Sequence, residues 1–279
     1  DHLRLKALMR AGAELRRLPS AQGELSMVEI KGRGPLPPLL FIHGLSAKCI
    51  DWDRVIFRLL PYTQGIRAID LPGHGWSDTP RDGMSQGPFL EMLMECSERF
   101  LDTPHHIIGS SLGGLMSVRL AQHNARPIRS LSLIAPAGTM CTQAQLDTIL
   151  GNFDVEQWSK ALTFVDACMG ENPSIRALMA IAIQSRVAQP SIQELLQQFS
   201  LAWLLKPEEL QSLTPPVLLY WGLQDEILSG ASLAFYKGNL PKDRHLFTSP
   251  SEGHAPWLDG PMLDGSRTFI QPLLTFWRA

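Results

Sequence analysis

The chain has no apolar run long enough to cross a bilayer, which argues against a membrane-spanning helix. It also lacks a dominant charge. The 25 Lys and Arg and 27 Asp and Glu leave a net charge of −2, so no strong attraction to nucleic acid or to an anionic surface is implied. Cysteine is scarce. Cys49, Cys96, Cys141 and Cys168 lie far apart and form neither a C-x-x-C pair nor a metal-site pattern. They are expected to be free, mostly buried thiols rather than disulfides. Internal repeats, low-complexity tracts and charge runs are missing, which excludes solenoids and tail-like segments. What is present, 279 residues of 44% hydrophobic content, suffices for one large domain or one domain with an insertion. The chain begins at Asp1 without a methionine, so compartment is weakly constrained; a cytoplasmic location is the expectation.

Leu3 to Leu18 interleaves Leu5, Leu8, Met9, Leu15 and Leu18 with Arg4, Lys6, Arg10, Arg16 and Arg17, a basic amphipathic helix pattern. The plain expectation is a surface helix packed on the domain. Contact with a membrane or lipid surface is the sharper alternative.

Two α/β blocks flank a different one. In the first, Leu25 to Ile30 alternates like a half-exposed strand, and Leu39 to Ile42, Ile66 to Asp70, Ile107-Ile108 and Ser130 to Ala135 read as further strands. Helical patterns such as Phe89 to Leu101 separate them. Strand–helix alternation implies a mostly parallel sheet covered on both faces. The middle block, 139–212, shows no strand pattern. It reads as helices over Gln143 to Gly151, Val155 to Met169, Pro173 to Ser185 and Ser191 to Leu204, punctuated by Pro173, Pro190 and Pro207. Strands then return at Val217 to Trp221 and Arg244 to Thr248, and Phe269 to Trp277 closes the chain as a helix. The expected division is a core of 1–138 with 213–279 and a helical cap of 139–212. A cap over an apolar cleft needs an apolar underside. Phe153, Trp158, Leu162, Phe164, Met169, Met179, Phe199, Trp203 and Leu204 are available, most of them for the cap's own core.

Gly109-Ser110-Ser111-Leu112-Gly113 has the form G-x-S-x-G. Between a strand and a helix (Leu112 to Gln122), that string builds a sharp turn that lifts the serine hydroxyl out of the sheet. An activated serine needs a base, and the base needs an acid to orient it. In this architecture they follow in the order Ser, Asp or Glu, His. Asp225 follows the strand ending at Trp221, and His254 lies in a loop after the strand around Leu246. Glu226, Glu252, Asp243 and Asp259 compete for the acid. His43 and His74 lie in glycine turns before the serine, and His105 and His106 enter the elbow strand. Ser110 occupies the variable position of the motif and is at most a support residue. Acyl transfer also needs two donors for the oxyanion. The N–H of Leu112 is one. The N–H of Leu45, in the turn His43-Gly44-Leu45-Ser46, is the expected second.

These residues, with Asp70-Leu71-Pro72-Gly73-His74-Gly75-Trp76-Ser77-Asp78, Trp221-Gly222 and Gly253-His254 with Pro256, resemble the α/β-hydrolase fold family over nearly the whole chain except the cap. The resemblance implies an eight-stranded, mostly parallel sheet flanked by helices, with a helical lid inserted after the sixth strand. It implies hydrolysis without a cofactor or metal, and a structural turn at Asp70 to Asp78. A serine at the elbow, rather than an aspartate, disfavours dehalogenase and epoxide-hydrolase chemistry. The expected substrate is a small ester with an apolar acyl group, cleaved by a carboxylesterase or monoacylglycerol-type lipase. A carbon–carbon hydrolase of ring-cleavage products is the nearest rival. Its carboxylate-binding cation would be Arg176 or Arg186, both of which are expected to face solvent instead. Lactones, thioesters and perhydrolase chemistry use the same residues, and a non-catalytic, ligand-binding member of the fold is the alternative of another class. Nucleic acid is not an expected partner. Monomer and dimer both stay open.

Overall fold

The computed structural model describes residues 1–123, 128–169, 176–259 and 266–279. The helix α1 (His2–Arg10) opens the chain. It does not run on to Leu18 as the periodicity suggests. Gly12, with φ of +95°, turns the backbone away, a conformation open to glycine. Leu15 to Leu18 instead fall in β1 (Glu14–Ser20), which pairs antiparallel with β2 (Gly23–Lys31) through a tight hairpin. The arginines on β1 are strand residues in ion pairs: Arg16 with Glu14 and Glu29, Arg17 with Glu24 and Asp78.

The chain continues through β3 (Leu39–Ile42), α2 (Asp53–Leu59), β4 (Gly65–Ile69), α3 (Gln86–Phe100), β5 (His106–Ser110), α4 (Leu112–His123) and β6 (Ser130–Ile134). Helices then follow one another: α5 (Gln143–Gly151), α6 (Trp158–Cys168), α7 (Arg176–Val187), α8 (Pro190–Gln198) and α9 (Pro207–Gln211). Residues 173–175, the expected start of the third of these, lie outside the described residues. The expected helix to Leu204 stops at Gln198, and a short 3-10 turn, Leu201–Trp203, follows. The sheet resumes with β7 (Val217–Gly222), then α10 (Gly230–Asn239), β8 (His245–Ser249) and α11 (Ser266–Arg278).

The eight strands lie in the order β1-β2-β4-β3-β5-β6-β7-β8, parallel from β4 to β8. Alternate side chains feed two cores. Leu40 and Ile42 of β3 face one with α3, α4 and α10, and Leu39 and Phe41 face the other with α1, α2 and α11. Burial on both faces explains why the central strands read as unbroken apolar runs. The helical insertion has its own small core around Phe153, Val165, Ala180 and Val187.

The strand order reverses direction at β3 and β5, and such switch points open a crevice at the carboxyl ends of the strands. The loops after β3, β5, β7 and β8 all emerge along that edge.

Candidate active site

Ser111 sits at φ of +52°, a left-handed conformation strained for a side chain with a Cβ. The surroundings hold it there. Its N–H donates to Ile134 at 3.0 Å, and its carbonyl accepts from Gly114 at 2.9 Å and Ala137 at 2.9 Å. A Cβ on Gly113 would lie 2.2 Å from the Ile42 carbonyl oxygen, so the motif's second glycine lets α4 close onto β3. A Cβ on Gly44 would lie 3.1 Å from the Ser111 Cβ, which puts the turn after β3 against the serine.

Leu45, Ser111 and Leu112 line one cavity. Neither the Leu45 nor the Leu112 N–H has a hydrogen-bond partner among the described residues. Two unspent donors thus flank the serine.

Asp225 and His254 meet as well. The Asp225 side chain is fully buried, and its Oδ2 accepts from His254 Nδ1 at 2.7 Å. The other oxygen accepts from the Ile227 and Leu228 N–H groups, both at 2.9 Å. The carboxylate is therefore held by two backbone donors while it orients the imidazole. The other candidate acids are placed differently. Glu226 and Asp243 are exposed. Buried Glu252, its carboxyl pushed up by burial, accepts from Tyr220 and from Thr268. Asp259 accepts from the Gly253 N–H at 2.7 Å and so braces the histidine loop.

The helical insertion grips the same loops through backbone contacts that carry no signal in the sequence. The residues that follow the acid and the histidine, Glu226 and Ala255, donate N–H to Ala167 and Cys168 carbonyls at the end of α6, each at 3.2 Å. Terminal helix carbonyls lack helical partners, so they are free to accept. Burial, then the nearby Asp225 and Asp259, push the Cys168 thiol well up.

His74 and His106 are held by structural contacts. His74 Nδ1 is 2.9 Å from the Pro72 oxygen, and His106 Nδ1 is 2.7 Å from Ser130 Oγ. All four cysteines are free. Among the described residues no cluster could hold a metal ion, and no helix is long and apolar enough to cross a membrane.

The cavity wall is apolar: Leu146, Ile149, Leu150, Phe153, Phe199, Leu204, Ile227 and Leu228 dominate it, with Thr139, Cys141 and Ser232 as the polar exceptions besides Ser111. Of the expected underside residues, Phe153, Phe199 and Leu204 line it, whereas Trp158 is 45% exposed. Neither arginine reaches it. Arg176 pairs with Asp166 at the surface. Arg186 corrects the expectation of a solvent-facing side chain: it is 16% exposed and bound to Asp51 at 2.6 Å.

A family model described as the alpha/beta hydrolase family matches residues 39–263. The chain belongs to that family. It is 25% identical over 263 residues to a pimeloyl-[acyl-carrier protein] methyl ester esterase of Nitrosomonas europaea, covering 85% of this chain and 96% of the relative. It is 33% identical over 113 residues to a monoacylglycerol lipase of Bos taurus, covering 39% of this chain and 33% of the relative. The naproxen esterase of Bacillus subtilis superposes with a TM-score of 0.78 at 16% identity, over 99% of this chain and 96% of that one. The protein is thus an enzyme of the α/β-hydrolase fold, of the esterase and lipase type.

Proposed function

We propose that this protein is a serine hydrolase of carboxylic esters with an apolar acyl group, with Ser111 as nucleophile, His254 as base and Asp225 as the acid that orients it. The observation that carries the reading is the buried Asp225–His254 hydrogen bond, at the same sheet edge as the strained Ser111 elbow.

The chemistry follows from the groups. With Nδ1–H bound to Asp225, His254 keeps its Nε2 lone pair for the Ser111 proton. Ser111 Oγ attacks the ester carbonyl. The N–H groups of Leu45 and Leu112 take the developing oxyanion, and each such donor is worth about 2.7–4 kcal/mol of transition-state stabilisation. His254 returns the proton to the leaving alcohol and then activates water to release the acid. Helices of 139–212 act as the cap that closes the cavity and steadies the acid and histidine loops.

Substrate class rests on the wall. Among the described residues no Arg, Lys, Asp or Glu lines the cavity, so its wall suits an apolar acyl chain and offers a free carboxylate no cation. That weighs against the carbon–carbon hydrolase reading. The named relatives act on a methyl ester and a monoacylglycerol, both esters.

Labelling with a fluorophosphonate, followed by peptide mapping, tests the roles. Adduct on Ser111, absent in Ser111→Ala and slowed in His254→Ala, is expected. An adduct elsewhere, or none, contradicts the reading and favours a ligand-binding role.

A further inference from the structure

His43 is almost fully buried and uses both ring nitrogens. Its Nε2 lies 3.0 Å from the Leu71 backbone nitrogen. A backbone N–H can only donate, so Nε2 carries the lone pair and the ring proton sits on Nδ1. That Nδ1–H donates to the Gly44 carbonyl at 2.7 Å.

The Gly44 carbonyl and the Leu45 N–H belong to one peptide group. In a planar trans peptide the two bonds point in opposite directions, so fixing the oxygen fixes the aim of the N–H. The Ala47 N–H holds the same oxygen from a second side at 3.1 Å. The Leu45 N–H is left without a partner among the described residues, and Leu45 lines the cavity with Ser111.

We infer that His43 is a positioning residue: its Nδ1–H anchors the Gly44–Leu45 peptide with the Leu45 N–H aimed at the oxyanion, and the Leu71 N–H locks the tautomer that does so. The inference rests on the serine-hydrolase reading and adds a residue which that reading does not require. A donor on the carbonyl also polarises the peptide and strengthens its N–H. Burial, then the neighbouring His74, push the His43 imidazole down to about 3, so the ring stays neutral wherever the base is active. Neutrality matters, because a protonated ring would set its Nε2–H against the Leu71 N–H. The same loop is tied further along, where Asp70 accepts from the Cys49 N–H at 2.7 Å and the Trp76 N–H at 3.0 Å.

His43 acts through the peptide, so it should affect the transition state and spare ground-state binding. The test compares His43→Asn, His43→Gln and His43→Leu in the full chain, with active sites counted by fluorophosphonate titration. Asparagine can present an amide N–H near the Nδ1 position. Glutamine reaches the Leu71 N–H with its oxygen but leaves Gly44 without its donor. Leucine does neither. Expected is a fall in kcat per titrated site of about 10- to 100-fold for Gln and Leu, less for Asn, with KM within about twofold. Equal kcat across the set, or a loss explained by unfolded fraction alone, overturns the proposal.

Should the variants not fold, nitrogen-15 NMR of the wild-type histidine rings decides. The proposal requires the His43 proton on Nδ1 from about pH 5 to 9. A proton on Nε2, or a titration within that range, overturns it. Failure of wild-type Ser111 to label would sink the hydrolase reading as a whole. Labelling at Ser111 with unchanged kcat in the His43 set would sink this proposal alone.

Discussion

Arg186 of α7 holds both oxygens of Asp51, at 2.6 and 3.0 Å, and so joins the helical insertion to the segment just after the Gly44–Leu45 turn. Arg4 of α1 meets the same carboxylate at 2.8 Å, and the Lys48 N–H donates to it at 2.9 Å. Burial alone would raise the Asp51 carboxyl, but the two guanidiniums outweigh it and hold the group at about 2.

That depression makes a stability prediction. A carboxylate held below its ordinary value of 3.8 contributes in full above that value, and the contribution disappears as pH falls toward 2. The shift corresponds to about 2 kcal/mol. Arg186→Gln should remove part of it, with Arg4 keeping the rest. Melting temperature near pH 7 should drop by about 2–6 °C, and the gap to wild type should narrow below about pH 3. Melting curves that stay the same distance apart at every pH would refute the pair's contribution.

Asp225→Asn keeps an oxygen for the Ile227 and Leu228 N–H groups but turns an amide N–H toward His254. The histidine must then present its lone pair to residue 225 and lose it toward Ser111. Steady-state kinetics should show kcat down about 10⁴-fold with little change in melting temperature. A loss under tenfold would remove Asp225 from the proposed role.

Gly44→Ala probes the approach of the turn to the nucleophile. The added methyl would stand 3.1 Å from the Ser111 Cβ and 3.7 Å from its Oγ, tight enough that one side must shift. Expected is a fall in kcat/KM of about tenfold or more, since small displacements of reacting groups are costly. The protein should still melt within a few degrees of wild type. Full activity would mean that the turn does not border the reacting centre.

Ile149→Trp adds bulk to the cavity wall. The acyl-chain optimum should move to shorter esters, with long-chain kcat/KM falling at least about tenfold and the acetyl ester little changed. Uniform loss over all chain lengths would place the acyl chain elsewhere.

Much of this was legible in the sequence because it is local. The elbow is five consecutive residues, and the β3, β5 and β7 cores are apolar runs buried on both faces. Asp225 and His254 follow strands, and chain order pointed to His254 among the histidines, whereas Glu252 and Asp259 stayed rivals of Asp225 whose contacts, with Tyr220, Thr268 and the Gly253 N–H, only the fold reveals. The N-terminus misled because Leu15 and Leu18 continue a helical spacing that Gly12 interrupts in the backbone. Long-range pairing stayed hidden. Arg186 and Asp51 are 135 positions apart, and nothing in either neighbourhood announces the other. The two ring contacts of His43 were equally invisible, since one partner is a backbone N–H and the other a backbone carbonyl.

The most direct test of the central claim is hydrolysis of p-nitrophenyl esters from acetyl to palmitoyl by the wild type beside Ser111→Ala. The account predicts turnover with a defined chain-length optimum, lost in the variant. Turnover that survives in Ser111→Ala, or none across the series, would contradict it.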